Sequence, residues 1–207
     1  MKITKITLAE GARELGTRDK DFERLVENIG LPGLRSRSTG YNTILKVICG
    51  QQISTSAAKA ICARLDAIED PMTAMAVLKL GPDKLRAAGL SGRKVNYAIG
   101  IAKAIENGGF NFRRVAFMHD EAAIDEMIKL KGIGRWSAEV YLIFALRRPD
   151  VWPADDLAIL KGLMHLKKLK ERPSRREMIE MAEVWRPWRS VAARLLWHHI
   201  NWVERKK

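Results

Sequence analysis

The residues best able to do chemistry stand between His119 and Arg148 and just beyond. Ile124, Met127 and Ile128 form an apolar stripe at helical spacing, and Ala138, Tyr141, Leu142 and Ala145 form a second one. Between them runs Leu130-Lys131-Gly132-Ile133-Gly134-Arg135-Trp136-Ser137-Ala138. Two glycines flanking one apolar residue let a tight turn take positive φ while its backbone comes close to a ligand. The first-turn amides at Gly134, Arg135 and Trp136 can then face a phosphate. Such a site reads the shape and charge of a nucleic acid rather than its sequence. The plainer reading of the same residues is a helix–helix hairpin with a glycine turn. Twenty positions beyond Trp136 comes Asp156, in Val151-Trp152-Pro153-Ala154-Asp155-Asp156-Leu157-Ala158-Ile159. On their own, two adjacent aspartates opening a helix are capping and dipole chemistry.

The elements that must position these residues are helices. Pro71, Pro82, Pro149, Pro153, Pro173 and Pro187 fall between periodic segments, and little of the chain alternates with period two. The spacing predicts helices over 19–28, 41–49, 54–68, 91–106, 120–130, 135–147, 156–169, 174–185 and 188–205, with Asp120, Asp156 and Ser174 as caps. The chain has 207 residues and is 47% apolar, enough to bury a core and too apolar for disorder. Its 37 Lys+Arg against 24 Asp+Glu leave a net charge of +13, which points to a polyanionic partner. Residues 161–207 hold 13 of the basic and 5 of the acidic residues, so they contribute +8 of that charge. No apolar run approaches the ~20 residues that span a bilayer, and no signal-peptide pattern opens the chain, so no membrane association is expected. Two cysteines, Cys49 and Cys62, are too few for an iron–sulfur cluster or a four-cysteine zinc site and suggest a reducing compartment. The adjacent His198 and His199 lack the i, i+4 spacing of a helical zinc pair. Arg93 and Lys94, at a helix start, can contact phosphate or simply solvate a surface.

The string from Leu130 to Ala138 resembles the helix–hairpin–helix of DNA-repair glycosylases. Agreement extends to the Pro-x-Asp-Asp string and its distance from the hairpin. The resemblance implies that Asp156 is the essential carboxylate, with Asp155 the structural cap. It implies that the backbone carbonyls of Ile128, Leu130 and Ile133 hold a monovalent cation, sodium or potassium, that bridges to phosphate. Relatives that also cut the strand use a lysine after Gly-Ile-Gly-Arg, where this chain has Trp136. That departure implies hydrolysis alone, leaving an abasic site. A flipped base leaves a gap that must be filled. Relatives fill it from a turn that matches Ile48-Cys49-Gly50-Gln51-Gln52-Ile53-Ser54, with Gln52 favoured and Gln51 and Ile53 alongside. On local sequence alone, the same segment is a helix start capped by Ser54.

The run from Trp188 to Trp197 resembles the last helix of the 3-methyladenine DNA glycosylase II family, the alkylation-repair branch of the superfamily. There an aromatic residue at the place of Trp197 faces the base pocket. Trp136 and Trp197 are accordingly expected to wall that pocket, since tryptophan faces attract cationic rings, and Trp185 and Trp202 to lie in the core. Val140 and Leu157 stand where some members place tyrosines, so a roomier, less aromatic pocket is expected.

These readings lead to an all-α, two-lobed helix–hairpin–helix glycosylase fold with the active site in the cleft between lobes. The central bundle is expected over 43–148, with the hairpin at about 120–147; 1–42 and 149–207 form the other lobe. The expected function is hydrolytic removal of alkylated purines, of 3-methyladenine and 7-methylguanine type, from duplex DNA during base excision repair. Asp156 is the catalytic group, and Gly132, Gly134, Arg135, Ser137, Gln51, Gln52 and Ile53 are the DNA contacts. No cofactor is expected beyond a structural sodium or potassium ion at the hairpin. A monomer in the cytoplasm, nucleoid-associated if bacterial, completes the expectation. Two alternatives stay open: a glycosylase for uracil, hypoxanthine or mismatched bases, and a noncatalytic DNA-binding protein.

Overall fold

The computed structural model describes residues 1–206, and among them the chain is all-α. Its helices are α1 (Lys5–Arg18), α2 (Lys20–Ile29), α3 (Tyr41–Gly50), α4 (Thr55–Asp66), α5 (Ala74–Ala87) and α6 (Gly92–Glu106). They are followed by α7 (Phe112–Phe117), α8 (Asp120–Ile128), α9 (Arg135–Phe144), α10 (Leu157–Lys167), α11 (Arg175–Ala182) and α12 (Arg189–Arg205). Short polar residues start most of them by accepting a first-turn amide: Thr4, Asp19, Ser54, Thr73, Ser91, Asn111, Asp156 and Ser174. Asp120 is not among them; His119 precedes α8 without a side-chain cap bond, and Asp120 is the first helical residue. No helix among the described residues is long and apolar enough to cross a membrane.

Three helices escape the sequence reading. α1 contains Gly11 and Gly16, which look like breakers, yet a Cβ at Gly11 would lie 2.7 Å from the Trp188 ring. Packing keeps that glycine where propensity disfavours it. α5 is interrupted at Gly81, which leaves helical φ/ψ just before Pro82. α7 is six residues long, and its apolar content is too brief to show a period.

The chain divides into two compact units, Met1–Ser36 with Leu142–Lys207, and Arg37–Tyr141. The junctions lie at Ser36 and Tyr141, some residues before the 43 and 148 that the sequence suggests.

In the first unit both chain ends share one core. Ile3, Leu8, Leu15 and Phe22 pack with Leu160, Leu163, Trp185, Trp188 and Leu196. The Trp185 ring meets Phe22 edge-on at 5.2 Å and Trp152 at 5.3 Å. Each buried indole finds an acceptor, Trp152 on Met178 O, Trp185 on Asp19 and Trp188 on Glu14. Trp202, expected in the core, is half-buried instead and stacks beside His199 with the Lys206 ammonium over it. α10 and α12 come close at Gly162, where a Cβ would stand 2.7 Å from Leu196 O.

The second unit holds α3 to α8 and most of α9. Its buried residues include Ile44, Ile48, Leu65, Val77, Leu85, Val95, Ile101, Ile124, Met127 and Tyr141. Tyr41 donates its hydroxyl to Ala98 O, and the Tyr141 hydroxyl accepts from Gly40 N, both at 2.8 Å.

The approach at Gly162 makes a direct prediction. Gly162→Ala forces α10 away from the α12 backbone and should lower unfolding stability by about 2 kcal/mol. Urea denaturation of the full chain measures it, and an unchanged midpoint would contradict the packing described.

Candidate functional site

The hairpin lies wholly in the second unit as far as Tyr141. Ala123, Ile124 and Met127 bury the inner face of α8, whereas Ile128 is half in solvent and not part of that stripe. Ile133 is buried between the two glycines, and its amide donates to Leu130 O at 3.0 Å. Only Gly132 uses positive φ, at +94°, and a Cβ there would fall 2.3 Å from the Tyr97 ring. Gly134 has neither a positive φ nor a neighbour within 4 Å of a built Cβ. The first amides of α9 lack intrahelical acceptors by the geometry of any helix start. Carbonyls in the last turn of α8, Ile128 among them, are likewise outside the i, i+4 ladder.

The side chains of three expected DNA contacts bond within the protein. Arg135 gives Nη2 to both oxygens of Glu121, at 2.7 and 2.8 Å, and Nε to the buried Glu139 at 3.0 Å. The Glu121 hydrogen bonds hold its guanidinium above the usual arginine range. Ser137 is only 2% exposed, and its Oγ accepts from Gln51 Nε2 at 3.0 Å. The same Nε2 donates to Gly132 O at 3.0 Å, so the Gln51 amide also points into the protein.

The turn after α3 presents its next residues outward. Gln52 is exposed with φ +56°, a left-handed backbone uncommon outside glycine, and Ile53 is exposed beside it. Ser54 caps α4 on Ala57 N, so cap and protruding turn coexist. Lys94 Nζ binds Cys49 O at 2.8 Å, which leaves Arg93 as the exposed member of that pair.

Trp136 and Val140 are four residues apart on α9 and share a helix face. Trp136 is half-buried and Val140 buried.

In the first unit, Asp156 is buried at the N-terminus of α10. Its Oδ1 accepts from Ala158 N and Ile159 N at 2.9 Å each, and from Trp197 Nε1 at 3.0 Å. The cap is therefore Asp156 itself. Asp155, expected as the structural cap, is exposed and pairs with Arg175 at 3.2 Å. Leu157, the first residue of α10, is 60% exposed.

Trp197 also stacks on Phe144, with ring centroids 5.3 Å apart and planes tilted by 35°. The Arg194 guanidinium sits 4.6 Å from the Phe144 ring centroid and binds Ile143 O and Arg35 O. Burial lowers its pKa to about 10, so it stays cationic at neutral pH. Sequence reasoning missed Phe144 and Arg194. The available signals were the place of Phe144 two turns after Trp136 and an arginine on the apolar face of α12.

The model for the HhH-GPD superfamily of base excision DNA repair proteins matches residues 45–188, which include both the hairpin and Asp156. The chain belongs to this superfamily. DNA-3-methyladenine glycosylase 1 of Schizosaccharomyces pombe is 32% identical over 94% of this chain and 88% of its own length. A solved structure of 3-methyladenine DNA glycosylase from the same yeast, in complex with abasic DNA, superposes with a TM-score of 0.84. It is 31% identical and is matched over 91% of this chain and 95% of that one. The 3-methyladenine DNA glycosylase from Archaeoglobus fulgidus gives 0.78 at 28% identity, over 92% and 70% of the two chains. This member of the HhH-GPD superfamily thus has the all-α fold of helix–hairpin–helix glycosylases.

The two hairpin glycines should respond differently to a methyl group. Gly132→Ala combines strained φ with collision against Tyr97 and should cost about 2–3 kcal/mol of stability, whereas Gly134→Ala should change it by less than about 1 kcal/mol. Denaturant midpoints of the two variants check this, and equal losses would refute it.

Proposed function

We propose that this protein is a monofunctional DNA glycosylase that hydrolyses the N-glycosidic bond of alkylated purines in duplex DNA. The observation that carries the reading is the buried Asp156 carboxylate, with two helix amides and the Trp197 indole fixed on one oxygen. Support for the substrate class comes from the S. pombe and A. fulgidus relatives, named for 3-methyladenine DNA. Support for DNA as partner comes from the abasic DNA in the yeast complex and from the net charge of +13.

A purine alkylated at N3 or N7 is already cationic. As its bond to C1′ breaks, the bonding electrons pass to the base, which leaves neutral, and positive charge moves to the deoxyribose. The Asp156 carboxylate stabilises that sugar cation and then orients a water molecule. The water adds to C1′ and releases one proton, leaving an abasic site. At ~4 Å and an effective dielectric of ~20, the interaction amounts to ~4 kcal/mol. That corresponds to roughly a thousandfold in rate.

Trp136 and Trp197 supply the electron-rich faces that favour a cationic ring over its neutral parent. Val140 lies one turn from Trp136 on α9, and Phe144 stacks on Trp197. No amine stands at the Trp136 position, so no Schiff base forms there and the strand is left intact. Gln52 fills the vacated stack with Ile53 beside it, and the amides at Gly134, Arg135 and Trp136 hold phosphate. The backbone carbonyls of Ile128, at the end of α8, and of Leu130 and Ile133, in the turn, would hold a monovalent cation, which would supply positive charge for binding an anion. The chain acts as a monomer in the cytoplasm.

Asp156→Asn keeps an oxygen acceptor for the amides and the indole but removes the charge. It should slow release of 7-methylguanine and 3-methyladenine from methylated duplex by roughly a thousandfold. Affinity for abasic duplex should stay within about threefold, since it depends mainly on phosphate contacts. Single-turnover base release and fluorescence anisotropy measure the two. Undiminished release would remove the catalytic role. Faster release of uracil or hypoxanthine than of alkylated bases by the unaltered protein would replace the substrate class.

A further inference from the structure

Gln51 is one position from the residue that enters the DNA in the reading above, yet its amide is aimed at the hairpin. We propose that Gln51 is a positioning residue that locks the insertion turn to the phosphate-binding hairpin, so that Gln52 is delivered at a fixed distance from the anchored strand. This rests on the preceding reading of the turn and the hairpin as DNA contacts.

Its Nε2 carries two N–H donors, and both are placed. One meets Gly132 O at 3.0 Å, the carbonyl of the hairpin residue with left-handed φ. The other meets Ser137 Oγ at 3.0 Å, in the first turn of α9. A single side chain therefore touches the turn and the second helix of a motif 81 and 86 positions away in sequence. Ser137 is buried, so its hydroxyl has little access to water as a substitute partner.

The backbone around Gln51 is held in the same way. Gln51 N donates to Ile48 O at 3.1 Å, Lys94 Nζ to Cys49 O at 2.8 Å, and Ser54 caps α4. These bonds bracket Gln52, whose left-handed φ is disfavoured for any residue with a Cβ and persists only where its neighbours are fixed. α6 closes the arrangement. Lys94 and Tyr97 are three residues apart on one face of it; Lys94 binds the end of α3, and the Tyr97 ring lies where a Gly132 Cβ would be. Turn, hairpin and α6 are thus joined pairwise, with Gln51 the link between the first two. A glutamine that contacted DNA directly would need these donors elsewhere.

The test compares Gln51→Met, which keeps the length and removes both donors, with the unaltered protein. Undamaged duplex, held by the hairpin alone, should bind within about threefold of normal, because its phosphate contacts are unchanged. Preference for abasic over undamaged duplex and the single-turnover release of 7-methylguanine should each fall at least ~10-fold, in line with loss of a buried hydrogen-bonded pair. The deciding readout is a double-mutant cycle with Gln52→Ala. Replacing Gln52 should lower abasic preference in the natural background and have no further effect beside Gln51→Met, because an unpositioned Gln52 is already lost; a merely structural role for Gln51 would leave the two effects additive. If Gln51→Met does not fold, Ser137→Ala removes one acceptor and is held to the same cycle. Full abasic preference in the folded variant, or an undiminished Gln52→Ala effect beside it, would overturn the proposal. An unaltered protein that neither releases alkylated bases nor prefers abasic duplex would remove the functional reading, and this proposal with it.

Discussion

Much of the first unit depends on one oxygen, Asp156 Oδ1, and the three N–H groups it accepts. Two of them begin α10, and the third comes from Trp197 on α12. The two helices then approach so closely at Gly162 that no side chain fits between them. The carboxylate that starts one helix therefore also fixes an indole on the other. Capping and catalysis need not compete for such a group. A cap uses the lone pairs of one oxygen, whereas stabilising a sugar cation uses the net charge of the carboxylate. The fixed donors also keep the carboxylate from rotating, which in the proposed reaction would leave little reorganisation to accompany charge development.

A second theme is how much polar chemistry near the hairpin is directed inward. Arg135 is neutralised by Glu121 and Glu139, Ser137 and Gln51 bond to each other, and Lys94 holds a helix end. Positions that resemblance marks as DNA contacts thus support the shape of the hairpin backbone. The division is physically economical. Backbone amides presented by a rigid turn suit phosphate without choosing a sequence, and rigidity is what the inward side chains supply. The excess positive charge of the chain, densest over residues 161–207, adds long-range attraction that no single contact needs to provide.

The all-helical class, the hairpin and the acidic start of α10 were legible in sequence because each has a local pattern: helical periodicity, a Gly-x-Gly turn, a pair of aspartates before a helix. What was illegible depends on distant partners. Gly11 reads as a helix breaker until the Trp188 ring is seen against it. Asp155 and Asp156 are equivalent as strings, and only the folded chain sends one outward to Arg175 and the other inward to Trp197. Arg135 is expected among the DNA contacts, and nothing in its immediate sequence shows that its side chain meets Glu121 at 2.7 Å. Phe144 looks like one more apolar residue at the end of a helix, and its role emerges only from the stacking with Trp197 and the cation beside it.

The two hairpin glycines separate what the fold requires from what it does not. Gly132 is explained within the chain, by its φ and by the Tyr97 ring beneath it. Gly134 is not: its backbone is open to other residues, and space surrounds the place of a Cβ. At the residue before α9, serine, threonine or aspartate would satisfy first-turn amides at least as well as glycine does. Any such side chain would occupy those amides itself and stand between them and an approaching anion. A bare helix start has a physical reason if the acceptor for its amides comes from outside the molecule. That is the arrangement a phosphate-binding turn needs, and it accounts for the one residue of the hairpin that internal packing leaves unexplained.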